Sequence, residues 1–203
     1  MTLNLLRRSL IAAAVAAPVL AFANASVDAA APAFTATTAD GKTVNLADYK
    51  GKTVVLEWTN HDCPYVKKHY GGNMQTQQKE AAAQGVVWLQ VVSSAPGQQG
   101  FVDGATARKL NADRGAAPAA TLLDPKGEIG KAYGAQTTPH MYVIRGDGTL
   151  AYKGGIDSIA TAKVDDIAKA EPYVKLALAD VAAGKKVEKA STRPYGCSIK
   201  YAS

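Results

Sequence analysis

The chain has 203 residues, 47% of them apolar and 20% charged, with a formal net charge of +6. That apolar share supports a buried core and excludes a chain too polar to fold. The positive charge is spread thinly, in small clusters such as Lys67-Lys68 and Lys185-Lys186, with no basic stripe interleaved with aromatics. Nucleic acid is therefore not expected as a partner.

The first 25 residues read as a cleaved export leader. Arg7-Arg8 is followed by an apolar run from Leu10 to Leu20, and Ala23-Asn24-Ala25 has the small-x-small pattern of a processing site. The run is shorter than the roughly 20 strongly apolar residues a membrane span needs. No membrane association is expected after cleavage, and the mature chain is expected in the periplasm or secreted. Removing Arg7 and Arg8, in a leader without acidic residues, lowers the formal charge from +6 to +4.

Residues 26–32 read as a loose lead-in. Phe34 to Asn45 alternates around Asp40-Gly41, a two-residue turn signal, and predicts a β-hairpin. Thr53 to Trp58 is a β-rich run that predicts a buried central strand. A loop from Thr59 to Asp62 leads into Cys63-Pro64, and proline suits the first position of a helix. That helix runs to about Tyr70, where Gly71-Gly72 interrupts it, and a second follows from Met74 to Gln84 with Asn73 as its cap. Val86 to Ser93 predicts a strand, Gly100 to Arg114 a helix, Thr121 to Asp124 a strand and Glu128 to Tyr133 a short helix. His140 to Arg145 and Thr149 to Lys153 form a hairpin across Gly146-Asp147-Gly148. One long helix is expected from Asp165 to Ala183, disturbed at Pro172, and Lys185 to Ser203 reads as an irregular tail. Strands separated by helices pair in parallel through right-handed crossovers. The sum is an α/β fold: a mixed central sheet, helices on both faces and an N-terminal β-hairpin.

The chain has two cysteines, Cys63 and Cys197, and an oxidising compartment seldom leaves cysteines idle. Cys63 falls where a strand ends and a helix begins. Unpaired backbone N–H groups converge there and favour thiolate over thiol. Lys67, one turn on, adds positive field, whereas Asp62 and Glu57 act against it. Cys197 has three readings: a thiol that resolves a sulfenic acid or mixed disulfide at Cys63, half of a permanent structural bridge, or an unpaired thiol. The tail is long enough for the first, at about 3.3 Å per extended residue.

Val54-Val55-Leu56-Glu57-Trp58-Thr59-Asn60-His61-Asp62-Cys63-Pro64-Tyr65-Val66 resembles the active-site segment of redoxins. These are the alkyl hydroperoxide reductase/thiol-specific antioxidant branch of the thioredoxin superfamily. Asp40-Gly41-Lys42, Leu46 and Gly51-Lys52 resemble the hairpin that precedes the redoxin active strand. Thr137-Thr138-Pro139 before Met141-Tyr142-Val143-Ile144 resembles the cis-proline loop facing a thioredoxin active site. The resemblance implies a thioredoxin-like domain over 26–184, followed by a tail, 185–203, that carries Cys197. It implies an exported oxidoreductase that reduces peroxides or disulfides through Cys63, with an external thiol reductant and no cofactor.

The departures are specific. Val66 stands where a thioredoxin has its second cysteine, and Asn60 where a peroxiredoxin has threonine or serine. The peroxiredoxin arginine would fall near Pro139, which leaves Arg108 and Arg145 as candidate substitutes. Asn60, His61, Pro64, Lys67, Pro139 and His140 are the expected supporting residues, with His140 placed to act on the Cys63 thiol as acid or base. His61, His69 and His140 lack metal-ligand spacing, so no metal is expected. Trp58 and Trp88 read as core. The alternative in a different class is a redox-inert or copper-handling binding module on the same fold.

Overall fold

The computed structural model describes residues 25–202, and the leader, apart from Ala25, lies outside the described residues. Among the described residues there are nine strands and five α-helices; seven strands and the helices follow one another in the expected order, and two short strands, at 137–138 and 197–198, are additional. The hairpin is β1 (Thr35–Thr38) and β2 (Thr43–Asn45), paired antiparallel through Ala36 and Val44. Then come β3 (Val54–Trp58), α1 (Pro64–His69), α2 (Asn73–Ala83), β4 (Val87–Val92), α3 (Gly104–Asp113), β5 (Ala120–Leu123) and α4 (Glu128–Tyr133). The chain continues through β6 (Thr137–Thr138), β7 (His140–Ile144), β8 (Leu150–Gly154), α5 (Tyr173–Ala182) and β9 (Cys197–Ser198).

Seven strands form one sheet in the order β2-β1-β5-β4-β3-β7-β8. The β3–β4 and β4–β5 pairs are parallel and the remaining pairs antiparallel, which makes the sheet mixed as expected. Every residue of β3 is buried, because the strand has a neighbour on each edge and packed layers on each face. Successive side chains point to opposite faces. Val54, Leu56 and Trp58 enter one core with Leu89, Tyr142 and, from α4, Tyr133. Val55 enters the other with Trp88, Met141, Met74 of α2 and Val174 of α5. Trp58 and Trp88 are both buried, as core residues should be.

Five local expectations need correction. Asn73 is the first residue of α2 and not its cap; the cap position is Gly72, whose N–H donates to Gln75 Oε1 at 3.1 Å. The predicted helix over 165–183 is a 3-10 segment, Val164–Lys169, followed by the separate α5. Pro172 divides them, because proline supplies no N–H and disfavours helical backbone at the residue before it. The helix expected from Gly100 starts at Gly104, since the Asp103 carboxylate caps it by accepting from Thr106 N at 2.7 Å. The lead-in is not loose. Asp28 N donates to Leu150 O at 2.8 Å, Leu150 N to Ala29 O at 2.9 Å and Ala31 N to Gly148 O at 2.9 Å, which lays the segment along β8.

The tail is not irregular throughout. Its Cys197–Ser198 pair forms a second, two-stranded sheet with Thr137–Thr138. Val187 and Ile199 are buried on either side of it, and Tyr201 Oη donates to Ala135 O at 2.8 Å. Among the described residues no helix is long and apolar enough to cross a membrane.

Candidate active site

The loop between β3 and α1 is built around Asn60, which is buried. Its Oδ1 accepts from Asp62 N at 2.9 Å and its carbonyl accepts from Cys63 N at 3.1 Å. This side-chain-to-backbone turn sets the chain direction just before the helix. Gly100 makes room for it, because a Cβ there would meet the Asn60 amide. Cys63 is the N-cap of α1 and Pro64 its first residue.

The Cys63 side chain makes no capping bond to the helix N–H groups, contrary to the expectation that these would hold it. It donates instead to the Thr138 carbonyl, Sγ to O 3.1 Å, and the residue has no solvent exposure. With only six residues, α1 has little dipole to offer. The register explains the contact: Trp58 at the end of β3 lies opposite His140 at the start of β7, so the segments beyond them, Cys63 and Thr138-Pro139, converge. The Thr138–Pro139 bond is cis, as the resemblance implied.

Cys197 comes to the same point from the far end of the chain. It pairs antiparallel with Thr138, and Thr137 pairs with Ser198. Ile199 N donates to Gln136 O at 3.0 Å, and Thr138 Oγ1 to Cys197 O at 3.4 Å. Gly196 allows this approach: its φ is 133°, and a Cβ would run into the Thr138 carbonyl. The two sulfurs lie near disulfide distance and both are free thiols. Burial, a hydrogen bond to Cys63 and the charge of Cys63 push the Cys197 thiol well above its ordinary range.

The other expected residues divide. His61 is half-buried and reaches Asp62, Nε2 to Oδ2 3.3 Å. Lys67 is exposed, and its backbone N donates to Cys63 O at 2.9 Å. His140 is buried with its ring against Tyr142, centroids 4.6 Å apart, and its Nδ1 accepts from Gln136 N at 3.3 Å. Burial, reinforced by Lys153, lowers its pKa to about 3, so it is neutral near pH 7. Neither candidate arginine is in the site. Arg108 binds the Ala39 carbonyl, and Arg145 ion-pairs with Asp28 at 3.6 Å, beyond the end of β7 remote from Pro139. The three histidines point to different partners, and among the described residues no group of three His, Cys, Asp or Glu side chains could hold a metal ion.

Two buried polar clusters beside the site escaped sequence reasoning. Behind β3, the Glu57 carboxylate accepts from Tyr70 Oη at 2.6 Å, Trp88 Nε1 at 2.7 Å and Gln78 Nε2 at 3.2 Å. Burial raises its pKa, against the hydrogen bonds and the Arg114 charge that lower it. On the other side, Asp157 accepts from Tyr195 Oη at 2.5 Å and faces Lys68 Nζ at 3.5 Å. His69 Nε2 lies 3.1 Å from the same Tyr195 hydroxyl. Lys68 and His69 belong to the helix that Cys63 caps, and Tyr195 lies just ahead of Cys197 in the tail. A tyrosine so near the second cysteine was the available signal; the burial of a lysine had none.

Residues 27–153 match the family model described as AhpC/TSA family. Comparison with curated proteins gives no match. The fold is shared with an uncharacterized conserved protein from Geobacillus kaustophilus at 25% identity and TM-score 0.74, over 87% of this chain and 93% of that one. A hypothetical protein from Sinorhizobium meliloti gives the same TM-score, 0.74, at 20% identity, over 89% and 97% of the two chains. The thioredoxin domain of a thiol-disulfide oxidoreductase from Bacteroides vulgatus aligns with TM-score 0.51 and 18% identity, over 71% and 96%.

Proposed function

Because the chain belongs to the AhpC/TSA family and is a thiol-based oxidoreductase of the thioredoxin fold, we propose that Cys63 is its nucleophile and Cys197 its resolving partner. Redox partners of this family are peroxides or disulfide-bonded molecules. With a peroxide, the Cys63 thiolate attacks one oxygen, the O–O bond breaks, and the departing alkoxide or hydroxide takes up a proton. Cys63 is left as sulfenic acid. With a disulfide, the same thiolate displaces one sulfur and a mixed disulfide remains. In either case the Cys197 thiolate attacks Cys63 Sγ, the S–O or S–S bond breaks as the Cys63–Cys197 bond forms, and the departing hydroxide or thiolate takes up the proton that Cys197 released. An external thiol reductant restores both thiols.

The observation that carries this reading is the pairing of Cys197 with Thr138, whose carbonyl holds the Cys63 thiol. A resolving thiol delivered by a strand needs no large rearrangement to reach its target. Asn60 sets the loop, Pro64 starts the helix and Pro139 shapes the facing wall. Lys67, exposed on the first turn of α1, adds positive charge beside the sulfur and His61 flanks the loop, whereas His140 is neutral, packs on Tyr142 and supports the wall that Pro139 begins. The leader pattern of residues 1–25 supports export to the periplasm or beyond, where a cycling disulfide can persist.

Turnover of peroxide and of a small disulfide should vanish in Cys63→Ser. In Cys197→Ser a single turnover should remain, ending at a trapped sulfenic acid or mixed disulfide visible by mass. Normal turnover by Cys63→Ser sinks the reading. Stoichiometric copper binding lost in Cys63→Ser, with no turnover in the wild type, would move the chain to the binding-module class.

A further inference from the structure

The clasp around Asp157 joins two segments that the reaction must bring together. On one side stands α1, which Cys63 caps and which supplies Lys68 and His69. On the other stands the tail residue Tyr195, followed by Gly196 and Cys197. The Lys68 and His69 side chains are fully buried and that of Asp157 nearly so. Lys68 Nζ also donates to Ile159 O at 3.0 Å and lies 5.5 Å from the centre of the Tyr195 ring. Tyr65, on the same helix, meets that ring edge-on at 5.8 Å. His69 is fixed in turn by Asn73, whose Nδ2 lies 2.8 Å from its Nδ1.

A lysine and an aspartate are seldom buried unless paired, because desolvation costs several kcal/mol per ion. Here the aspartate accepts both the Tyr195 hydroxyl and the Ile159 N–H, the latter at 3.0 Å. Tyr195 Oη donates to a nearly buried carboxylate that also faces Lys68. Beyond Cys197 the tail is tied by Ile199 and Tyr201. Before it, Tyr195 is the tie nearest the sulfur in sequence. Gly196, between them, cannot fix a direction by itself.

We propose that Tyr195 is a positioning residue for resolution: through Asp157 it holds Cys197 in line with Cys63 Sγ. This rests on the proposed roles of the two cysteines. The step it serves is attack of the Cys197 thiolate on the Cys63 side of a mixed disulfide. The new S–S bond joins the two cysteines, the old one breaks, and the departing thiolate takes up the proton that Cys197 has released. Alignment of this kind accounts for large factors in intramolecular reactions, and small misplacements are costly.

The test uses the full-length reduced protein and a chromogenic aromatic disulfide as oxidant. Attack by Cys63 releases one coloured thiolate, and resolution by Cys197 releases the second. In Tyr195→Phe the second phase should slow about tenfold while the first does not slow, although loss of the hydrogen bond lowers the melting temperature of the reduced protein. The same mixed disulfide can be formed in a Cys197→Ser background, with and without Tyr195→Phe. External dithiothreitol should cleave it at least as fast in the double variant as in the single one. A tyrosine that only stabilised the fold would not split the two rates. Asp157→Asn keeps an oxygen acceptor for the hydroxyl but leaves Lys68 without its counter-charge, so in both variants the reading is the ratio of the second-phase rate to the first, which a general loss of stability does not shift in this direction. Lys189→Ala, which breaks an exposed tail contact to Glu171, should change nothing. An unchanged second phase in both clasp variants overturns the proposal. Absence of a second phase in the wild type defeats the cysteine pair itself, and the clasp with it.

Discussion

Cys197 sits directly across an antiparallel pair from Thr138, and the Thr138 carbonyl accepts the thiol of Cys63. One backbone residue thus joins the two sulfurs of a chain in which they stand 134 positions apart.

The approach depends on a missing side chain. Gly196→Ala introduces a Cβ that meets the Thr138 carbonyl at a φ of 133°, a region side chains avoid. Strain of this kind costs about 1–3 kcal/mol. The β6–β9 pair should loosen, and Cys63, now fully buried, should be alkylated faster by iodoacetamide. An alkylation rate equal to wild type would mean the tail does not cover the sulfur in solution.

Tyr201 secures the tail on the other side of Cys197. Its ring fills the space above Gly127 and Gly130, where a Cβ would strike it. Tyr201→Ala should cost about 2 kcal/mol in urea unfolding, less than a fully buried aromatic because the ring is half-exposed. Gly130→Ala should displace the same ring and lower stability in the same direction.

Glu57 gives a prediction that charge alone would reverse. Neutralising a buried carboxylate is commonly favourable, yet three donors converge on Glu57 from Tyr70, Trp88 and Gln78. Glu57→Gln places an NH2 where an acceptor is needed, so a buried donor loses its partner. The loss should be about 1–3 kcal/mol by chemical denaturation. A variant as stable as wild type would show that the network can reorient.

Acid should weaken the fold through histidine. Burial lowers the pKa of His69 to about 4 and of His140 to about 3, from 6.5 in the unfolded chain. Above 6.5 both states are neutral and the pair contributes no pH dependence. As pH falls below 6.5 the unfolded chain binds protons first, so stability is lost until the folded-state values are reached. For His69 alone this is on the order of 3 kcal/mol. Glu57, with its raised pKa, works the opposite way, since its protonation favours the folded state at low pH. Urea unfolding between pH 7.5 and 4 should show a fall in stability on acidification, and His140→Gln should make it shallower.

The sheet was readable because its strands carry their own signals. β3 and β4 are short β-branched and apolar runs, and the hairpin strands flank a turn dipeptide. Cys63 was readable from the strand-to-helix junction around it, and the cis-proline loop from Thr138-Pro139. The second sheet was not. Two residues, Cys197–Ser198, have no periodicity, and their partner lies about 60 residues upstream, so only tertiary contact creates the strand. Lys67-Lys68 looked like a solvated charge cluster. Lys67 is exposed, but Lys68 turns inward to Asp157, a difference set by which helix face meets the tail. His140 follows the cis-proline directly, yet its ring turns into the layer holding Tyr142, and no spacing rule foretells that.

A strand laid over a sulfur also acts as a door. Cys63 has no solvent exposure, so a bulky oxidant has to wait for a local opening, and if the 196–199 segment is what opens, the frequency belongs to the protein alone. Raising the concentration of such an oxidant therefore speeds the reaction only up to that frequency. Different bulky oxidants should share one ceiling, whatever their intrinsic reactivity.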